Sequence, residues 1–482
     1  MTTHPDSPET FNRFNIRIIG ICVAAALGGF LFGFDTAVIN GAVDAMTETF
    51  ALTPALQGFA VSSALLGCAA GAWFAGPIAN RLGRVPVMLI AASLFLASSI
   101  GSGLAFTVVD LIVWRVIGGL GVGAASVIAP AYIAEVSPAR IRGRLASLQQ
   151  LAIVTGIFAA LLSDSMLADL AGGSIEILWF GQEAWRWMFM AEAIPAVIYG
   201  LAALRLPESP RYLVAKNRIE DATRVLRVYT GIVDVSDKVT AIKESLRADH
   251  RWSLADLRGR RLGLKPVVWV GILLSVFQQF VGINVIFYYS TTLWRSVGFE
   301  EADALQITVI TSVTNIVVTL VAIALVDRVG RRPLLLTGSA GMFVSLLTMS
   351  IAFSQATLIT NPDGTTSADL QGGWATTALI AANAFVVFFG VSWGPVVWVL
   401  LGEIFPNFIR AGALAVAAAA QWLANFAIST TFPTFSEIGL TFAYGFYAFF
   451  ALLSFVFVFT QVPETKGREL EDMSYEVHSR RR

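Results

Sequence analysis

Long apolar runs constrain this chain more than any other feature of its sequence. Each is roughly 20 residues long, the length that a helix needs to cross a bilayer. Such runs repeat along most of the 482 residues, and we therefore predict an all-α membrane protein with twelve transmembrane helices. The predicted spans are 16–41, 56–79, 86–106, 108–134, 145–163, 186–204, 266–290, 303–326, 333–354, 374–401, 410–432 and 440–462.

Composition agrees with a membrane protein and excludes other classes. Hydrophobic residues make up 56% of the chain and charged residues only 14%, whereas soluble proteins carry roughly 25% charged residues. The net charge is zero, so nothing indicates nucleic-acid binding. Cys22 and Cys68 both lie in apolar runs and follow no disulfide or metal-ligand spacing. We expect no metal and no cofactor.

The charged residues divide the chain into segments and predict its orientation. We expect a tail at 1–15, a six-helix bundle at 16–204, a helical linker at 205–265, a second bundle at 266–462 and a tail at 463–482. Arginine and lysine concentrate in the linker and in one alternate set of loops. The positive-inside rule places those loops and both termini in the cytoplasm, with the helices in the cell (inner) membrane.

Three motifs occur once in each half and in the same order, which indicates a duplication. Two related halves usually enclose a central site and move about it. The pairs are GPIANRLGR (Gly76–Arg84) with LVDRVGRR (Leu325–Arg332), EVSPARIRG (Glu135–Gly143) with EIFPNFIRA (Glu403–Ala411), and PESPR (Pro207–Arg211) with PETKG (Pro463–Gly467).

The seventh span is unusually polar for its apolar length. Its segment QQFVGINVIFYYS carries Gln278, Gln279, Asn284 and Tyr288. Asn284 and Tyr288 share a helix face, whereas Gln279 would point away on an ideal helix. Gly282 permits a break between them. Two interpretations stay open here: these groups line a polar cavity for a neutral polyol, or they join helices through hydrogen bonds.

Together these motifs resemble the sugar-porter family of the major facilitator superfamily over nearly the whole chain. The segment SWGPVVWVLLGEIFPNFIR looks most similar to the bacterial proton-coupled members. The resemblance implies two pseudo-symmetric six-helix bundles and a non-enzymatic protein, acting as a monomer, that moves a monosaccharide such as glucose, galactose or xylose by alternating access. Val85 and Ala411 depart from the usual motif residues and concern the gating loops.

The resemblance also implies a set of sugar contacts from both halves. Amides bind hydroxyl groups, while aromatic rings cover the apolar face of a pyranose and exclude water. The implied residues are Phe32, Gln150, Gln278, Gln279, Asn284, Tyr288, Asn315, Trp398, Gln421, Trp422 and Asn425.

Charged residues inside the N-terminal spans are candidates for proton coupling. Asp35, Arg115 and Glu192 lie in the first, fourth and sixth spans, where ionisable groups are costly and usually functional. We expect Asp35 to pair with Arg115 near Glu192. Protonation of Asp35 would release the arginine, and proton-coupled members of the family have an aspartate at this position. A static ion pair is the alternative.

Charged residues of the repeated loops are candidates for gating. We expect ion pairs within each half that lie on the cytoplasmic side and must break for inward opening. A solvated surface is the alternative for any single residue. The residues are Arg84, Glu135, Arg142 and Glu208 in the N-terminal half, and Arg331, Arg332, Glu403, Arg410 and Glu464 in the C-terminal half.

Three functions therefore remain after the sequence has been read. Proton-coupled sugar symport is favoured by Asp35, because facilitative relatives have a neutral residue there. A facilitative uniporter of the same fold is the nearest alternative. A non-transporting sugar sensor is the third, and the short segment after Pro463 disfavours it.

Overall fold

The computed structural model describes residues 8–137, 142–230, 235–248, 254–259, 263–360, 366–370, 373–406 and 409–466. Nearly all of the described residues are helical. The predicted N-terminal tail is described from Pro8 onward, and the predicted C-terminal tail only as far as Lys466. Helix α1 already begins at Pro8, eight residues before the predicted first span, so the tail predicted at 1–15 is partly helix.

The N-terminal half contains the first six spans, with boundaries close to those predicted. Short strands β1 (Ile177–Trp179) and β2 (Gln182–Glu183) form a hairpin before the sixth span. Its helices are α1 (Pro8–Ala37), α2 (Ile39–Thr49), α3 (Pro54–Leu82), α4 (Arg84–Gly103), α5 (Val108–Val136), α6 (Arg142–Ala171), α7 (Ala184–Ala191) and α8 (Ala193–Ala203).

The linker packs as a small helical unit with its own apolar core. It comprises α9 (Pro210–Ala215), α10 (Ile219–Val225), a π-helical turn (Leu226–Thr230), α11 (Val235–Ala248) and a 3-10 turn (Leu254–Leu257). Its core side chains are Leu213, Val214, Ala222, Leu226, Val235 and Val239. The helices predicted in the linker are therefore present.

The C-terminal half repeats the arrangement. Strands β3 (Thr357–Thr360) and β4 (Thr366–Asp369) pair after the ninth span. The helices are α12 (Pro266–Phe280), α13 (Ile283–Tyr288), α14 (Ser290–Arg295), α15 (Glu301–Val329), α16 (Arg331–Ser354), α17 (Gly373–Val391), α18 (Trp393–Ile404), α19 (Arg410–Ile438) and α20 (Leu440–Gln461).

Eleven stretches of the described residues are long and apolar enough to cross a membrane. The predicted sixth span is not among these eleven stretches and brings the total to twelve. It consists of α7 and α8, each too short alone, which are separated only by Glu192. The twelve predicted spans are thus all helical, and four of them are interrupted.

The interruptions have identifiable local causes in the seventh and tenth spans. Gly282 separates α12 from α13 with φ +84°, a left-handed conformation that costs glycine little. Ser392 separates α17 from α18, and Pro395 follows three residues later. Because proline lacks an N–H and its ring collides with the carbonyl four residues earlier, a helix cannot continue regularly through it. The tenth span is therefore bent, and the bend is centred on Ser392.

The motif loops of the two halves adopt the same backbone conformation. Gly83 joins α3 to α4 with φ +111°, and Gly330 joins α15 to α16 with φ +107°. A Cβ atom on Gly83 would lie 2.3 Å from the Glu208 carboxylate, and one on Gly330 2.9 Å from that of Glu464. Glycine is required at both for space as well as conformation. We call this end of the bundles the motif face, and the end that carries α2 and α14 the opposite face.

Candidate functional site

A buried ion pair lies in the middle of the N-terminal half. Arg115 Nη1 of α5 lies 3.3 Å from Asp35 Oδ1 and also donates to the Asp35 carbonyl oxygen at 3.2 Å. Asp35 is 1% exposed and Arg115 2%. Asp35 Oδ2 and Arg115 Nε have no hydrogen-bond partner among the described residues. The predicted pair is therefore formed, with a single contact between the two charged groups.

Glu192 lies beside this pair, as predicted. It occupies the break between α7 and α8, is 1% exposed, and interacts electrostatically with both Asp35 and Arg115. The Phe189 ring, one turn earlier, lies 5.7 Å from the Arg115 guanidinium carbon. Glu192 Oε1 has no hydrogen-bond partner in the described part of the chain. The cluster holds two acids and one base, so protonation of either acid changes its net charge.

The C-terminal half holds a chain of uncharged amides at the break in the seventh span. Asn284 Nδ2 donates to Gln279 Oε1 at 2.5 Å, and Gln279 Nε2 lies 3.4 Å from Gln278 Oε1. On an ideal helix Gln279 would point away from Asn284. The left-handed turn at Gly282 redirects the backbone and brings the two amides together.

Gln278 also joins helices, so both interpretations of the polar seventh span apply to it. Its Nε2 donates to the Trp393 carbonyl oxygen at 2.8 Å and to that of Gly394 at 3.3 Å. These carbonyls lie at the start of α18, just after the break in the tenth span. Gln278 therefore links the breaks of the seventh and tenth spans, and its 3% exposure leaves little surface for a ligand.

A second polar chain runs from the seventh span to the eleventh. Asn425 Nδ2 donates to the Tyr288 hydroxyl at 3.4 Å, and Ser429 Oγ donates to Asn425 Oδ1 at 3.0 Å. Across the halves, the Phe32 ring lies 5.6 Å from that of Trp422. The structure thus brings predicted sugar contacts of both halves to the same central region.

The remaining predicted contacts make no described hydrogen bond to these chains. Gln150 in α6 and Gln421 in α19 are half-buried, and Gln421 Oε1 is without a partner among the described residues. Asn315 in α15 is 9% exposed, whereas Trp398 in α18 is 44% exposed. In this conformation Trp398 does not form part of a packed pocket wall.

On the motif face, one arginine–glutamate pair is formed in each half. Arg84 Nη2 lies 2.8 Å from Glu135 Oε1, and Arg331 Nη2 lies 2.8 Å from Glu403 Oε1. Both arginines also donate through Nε, so each pair is bidentate. A hydroxyl group also donates a hydrogen bond to each carboxylate: Ser209 donates to Glu135, and Thr465 donates to Glu403. These two predicted pairs are present.

Glu208 and Glu464 make contacts that the sequence did not predict. In the contacts described, Glu208 accepts hydrogen bonds from the backbone N–H groups of Arg84 and Val85, and Glu464 accepts from those of Arg331 and Arg332. The first N–H groups of a helix have no internal partner, so both glutamates cap the helices that begin at the motif loops.

Burial by itself would raise the pKa of Glu464. Four backbone N–H groups, including those of Thr465 and Lys466, outweigh that effect and lower its pKa below the ordinary value. A carboxylate that accepts several backbone hydrogen bonds is stabilised in its charged form.

Arg332 and Arg410 also make contacts that the sequence did not predict. Within the described residues they bind carbonyl oxygens at helix ends: Arg332 Nη2 donates to Phe459 O, and Arg410 Nε donates to Phe405 O. The last carbonyls of a helix lack internal partners and carry partial negative charge, so they compete with carboxylates for arginine side chains. The side chain of Arg142 lies outside the described part of the chain.

Hydrogen bonds join the two halves at the opposite face. Asn40 Nδ2 donates to Phe287 O at 2.9 Å, and Thr291 donates to Asn40 Oδ1 through both its N–H and its hydroxyl. Asp44 accepts from Thr292 and forms an ion pair with Arg295 at 2.9 Å. The described motif-face pairs, in contrast, stay within one half each. The structure is therefore closed between the halves at the opposite face.

Sequence reasoning missed these contacts and one buried acid. Asp164 lies in α6 and is fully buried, but the predicted fifth span ended at residue 163 and excluded it. A span extended to the end of the apolar run would have identified a carboxylate within the membrane. Asn40 and Asp44 lie four residues apart, the spacing of one helix face, which was the available signal for them.

Two further features bear on the choice of site. An apolar cleft of about 340 Å³ is lined by residues such as Leu27, Ala191 and Ile194, but it includes none of the predicted sugar contacts. In the described residues, no group of three or more His, Cys, Asp or Glu side chains is placed to hold a metal.

Comparison with known proteins identifies the family. A family model described as "Sugar (and other) transporter" matches residues 21–477. The chain belongs to the sugar transporter family. The structural repeat and the paired motif loops are therefore those of a transporter and not of an enzyme.

Individual relatives of this sugar transporter cover almost its full length. It is 56% identical to the glucose transport protein of Synechocystis over 98% of this chain and 100% of that one. It is 38% identical to the D-xylose-proton symporter of Escherichia coli K12 over 95% of both chains. The arabinose-proton symporter of Bacillus subtilis is 35% identical over 97% of both chains.

Solved structures extend the similarity to the fold. The transporter matches the inward-open xylose transporter XylE of E. coli with a TM-score of 0.80, at 37% identity over 95% of this chain and 99% of that chain. It matches XylE bound to 6-bromo-6-deoxy-D-glucose with a TM-score of 0.76 over the same shares of the two chains. The predicted fold of two six-helix bundles is confirmed.

Proposed function

We propose that this sugar transporter carries a monosaccharide together with a proton by alternating access, and that Asp35 carries the proton. One observation supports the coupling above all others. The buried Asp35–Arg115 pair has a single contact between its charged groups and leaves Asp35 Oδ2 without a described partner. A proton on Oδ2 would remove the charge that holds Arg115.

The consequence of protonation follows from where the two residues lie. Arg115 is on α5 and Asp35 on α1, so weakening their attraction frees one helix to move relative to the other. Glu192, at the break between α7 and α8, is the alternative acceptor for the released guanidinium. Since an unpaired buried charge is costly, the released Arg115 would pair with Glu192, and the cluster can act as a switch.

The substrate site lies between this cluster and the amides of the C-terminal half. Gln279, Asn284 and Asn425 offer uncharged donors and acceptors, which suit the hydroxyl groups of a neutral sugar. Phe32 and Trp422 offer apolar faces for its ring. The glucose, xylose and arabinose named in the relatives support a pentose or hexose as substrate. We infer no single sugar, because pockets separate such analogues by only about 1–3 kcal/mol.

Orientation and conformation complete the proposal. The motif face carries the arginine-rich loops, which supports a cytoplasmic location for it and for both termini, and an inner-membrane protein. The opposite face then points outward and is closed here through Asn40 and Asp44. The TM-score of 0.80 to an inward-open relative agrees with that state. We infer a functional monomer, because one chain supplies both halves.

The decisive experiment uses the purified protein in proteoliposomes with an imposed proton gradient. We expect labelled glucose or xylose to accumulate above equilibrium, and a panel of unlabelled sugars to rank specificity by competition. Sugar addition should also raise the pH of a weakly buffered external medium. Equilibration without accumulation, at normal rates and with no pH change, would contradict coupling and leave a facilitative uniporter.

A further inference from the structure

Asp164 is a buried acid that the proposed mechanism does not use. It lies in α6, is fully buried, and faces the first turn of α2. Its Oδ2 accepts a hydrogen bond from the backbone N–H of Gly41 at 3.3 Å, whereas its Oδ1 has no partner among the described residues.

The contact depends on a glycine. A Cβ atom on Gly41 would lie 2.6 Å from the Asp164 Cβ atom, closer than packed carbon atoms approach. Glycine at 41 therefore lets the carboxyl group reach the backbone of α2. The N–H groups of a first helical turn are available for such an acceptor, and α2 begins only two residues earlier at Ile39.

No cation of the described residues pairs with Asp164. Of the charged residues on the helices packed against α6, Asp35, Asp44, Arg115, Arg186 and Glu301 each contact a partner other than Asp164. No described charged group other than these helices' own pairs acts on Asp164. Glu192 belongs to the Asp35 cluster, and Asp169 of α6 is exposed. An ionised carboxylate with one N–H donor and no cation is strongly disfavoured in a buried site. The neutral acid fits this environment.

The turn that Asp164 holds is also the turn that closes the opposite face. Asn40, next to Gly41, binds Phe287 and Thr291 of the other half. Asp44, one turn later, binds Thr292 and Arg295. Any change that releases Gly41 from α6 therefore shifts the side chains that join the two halves.

We propose that Asp164 is a second proton-binding acid of this transporter, which fixes the first turn of α2 in the closed opposite face only while it is protonated. Opening that face would admit water to Asp164 and allow it to ionise, and closing it would require the proton to return. This inference rests on the proposed function for its place in the cycle. The contact between Asp164 and Gly41 itself needs no sugar gradient.

The test measures opening of the opposite face directly. Ser62 of α3 is fully buried and its hydroxyl lies 2.6 Å from that of Thr430 across the halves. A Ser62→Cys reporter would react with a membrane-impermeant maleimide only when the face opens. The native Cys22 and Cys68 are buried and give the background. All variants carry Asp35→Asn, so that this acid does not contribute to the pH dependence.

We expect the labelling rate of the reporter protein, divided by that of the denatured protein at the same pH, to rise about tenfold between mildly acidic and alkaline pH. Asp164→Asn mimics the neutral acid, so labelling should stay low at every pH. Gly41→Ala should give fast labelling throughout, because the added methyl group displaces Asp164.

An unchanged pH dependence in Asp164→Asn, with the protein monodisperse, would overturn the inference. If that variant does not fold, Asp164→Glu keeps an ionisable group and should shift the pH midpoint, whereas an unshifted midpoint would also overturn it. Failure of the wild-type protein to accumulate sugar would contradict the proposed function alone, because the labelling assay uses no sugar.

Discussion

The two halves of the molecule share a framework and differ in the polar groups at their centres. On the motif face, each half has a left-handed glycine, a bidentate arginine–glutamate pair with an N–O distance of 2.8 Å, and a capping glutamate. At the centre, the N-terminal half buries Asp35, Arg115 and Glu192. The C-terminal half instead places uncharged amides at the break of its seventh span.

This difference indicates a division of labour within a duplicated fold. Charged groups respond to protons, whereas amides bind hydroxyl groups without changing charge. The shared framework uses equivalent residues in both halves. Variants of either centre or of the framework should therefore have different signatures.

The largest effect is expected from Asp35→Asn. The amide keeps the shape of the side chain but cannot gain or lose a proton, so accumulation of sugar under a proton gradient should fall by about 100-fold or more. Exchange of labelled for unlabelled sugar at equilibrium should persist, because it needs no net proton movement. Proteoliposome uptake and counterflow measure the two quantities.

Asp44→Asn is the matched control for that experiment. Asp44 is also an acid of the N-terminal half paired with an arginine, but it lies at the opposite face with its side chain 20% exposed. We expect it to retain accumulation. If Asp35→Asn still concentrates sugar, the N-terminal cluster does not carry the coupled proton.

The second largest effect is expected from Gln279→Leu in the C-terminal centre. Loss of the amide removes the acceptor for Asn284 and one group proposed to bind sugar. Removing a hydrogen bond at such a site costs about 1–3 kcal/mol, so the KM for sugar should rise roughly 10- to 100-fold. The pH dependence of uptake should be unchanged. A shifted pH profile would show that the two centres do not have separate tasks.

Much of this comparison could be predicted from the sequence, and the exceptions have physical reasons. Apolar length fixes where helices cross a bilayer, so the span limits were accurate to a few residues at most ends. Asp35 and Arg115 could be paired because buried charges need partners. The backbone contacts of Glu208 and Arg332 could not be predicted, since the sequence does not reveal which helix end a charged side chain will reach.

The contacts between halves were harder to predict. Asn40 meets Thr291 across 251 positions of sequence, and no periodicity within either segment encodes that contact. Gln279 meets Asn284 only because Gly282 turns the backbone to the left. A glycine in a membrane helix is compatible with both a continuous and a broken helix, so the sequence permits this geometry without requiring it.

A smaller effect should be shared by the two halves. Glu135→Gln and Glu403→Gln each leave an arginine without its carboxylate at a partly buried site. We expect each to lower the melting temperature by a few degrees, since the loss of such a bond costs about 1–3 kcal/mol. Sugar affinity in detergent should stay within about twofold. Thermal unfolding with a fluorescent thiol probe measures the change.

The matched control is Asp221→Asn, which breaks an exposed pair with Arg218 in the linker, away from the motif loops. It should change the melting temperature little. A large effect of Glu135→Gln with none for Glu403→Gln would contradict the equivalence of the two frameworks.

The smallest effect concerns pH and the capping glutamate Glu464. Its pKa is lowered from the ordinary 4.5 by the backbone N–H groups that it binds. A carboxylate with a lowered folded-state pKa stabilises the protein fully above its unfolded pKa, and the contribution is lost as the pH falls through the folded value. Glu464 should therefore add a small increment to the thermal stability of the wild-type protein at neutral pH, and this increment should disappear below about pH 4.5. Glu464→Gln should lack the increment at every pH. Identical melting curves for the two proteins from pH 7 to pH 3.5 would mean that the cap stabilises α16 no more than water does. The comparison between the halves would then rest on the arginine–glutamate pairs alone.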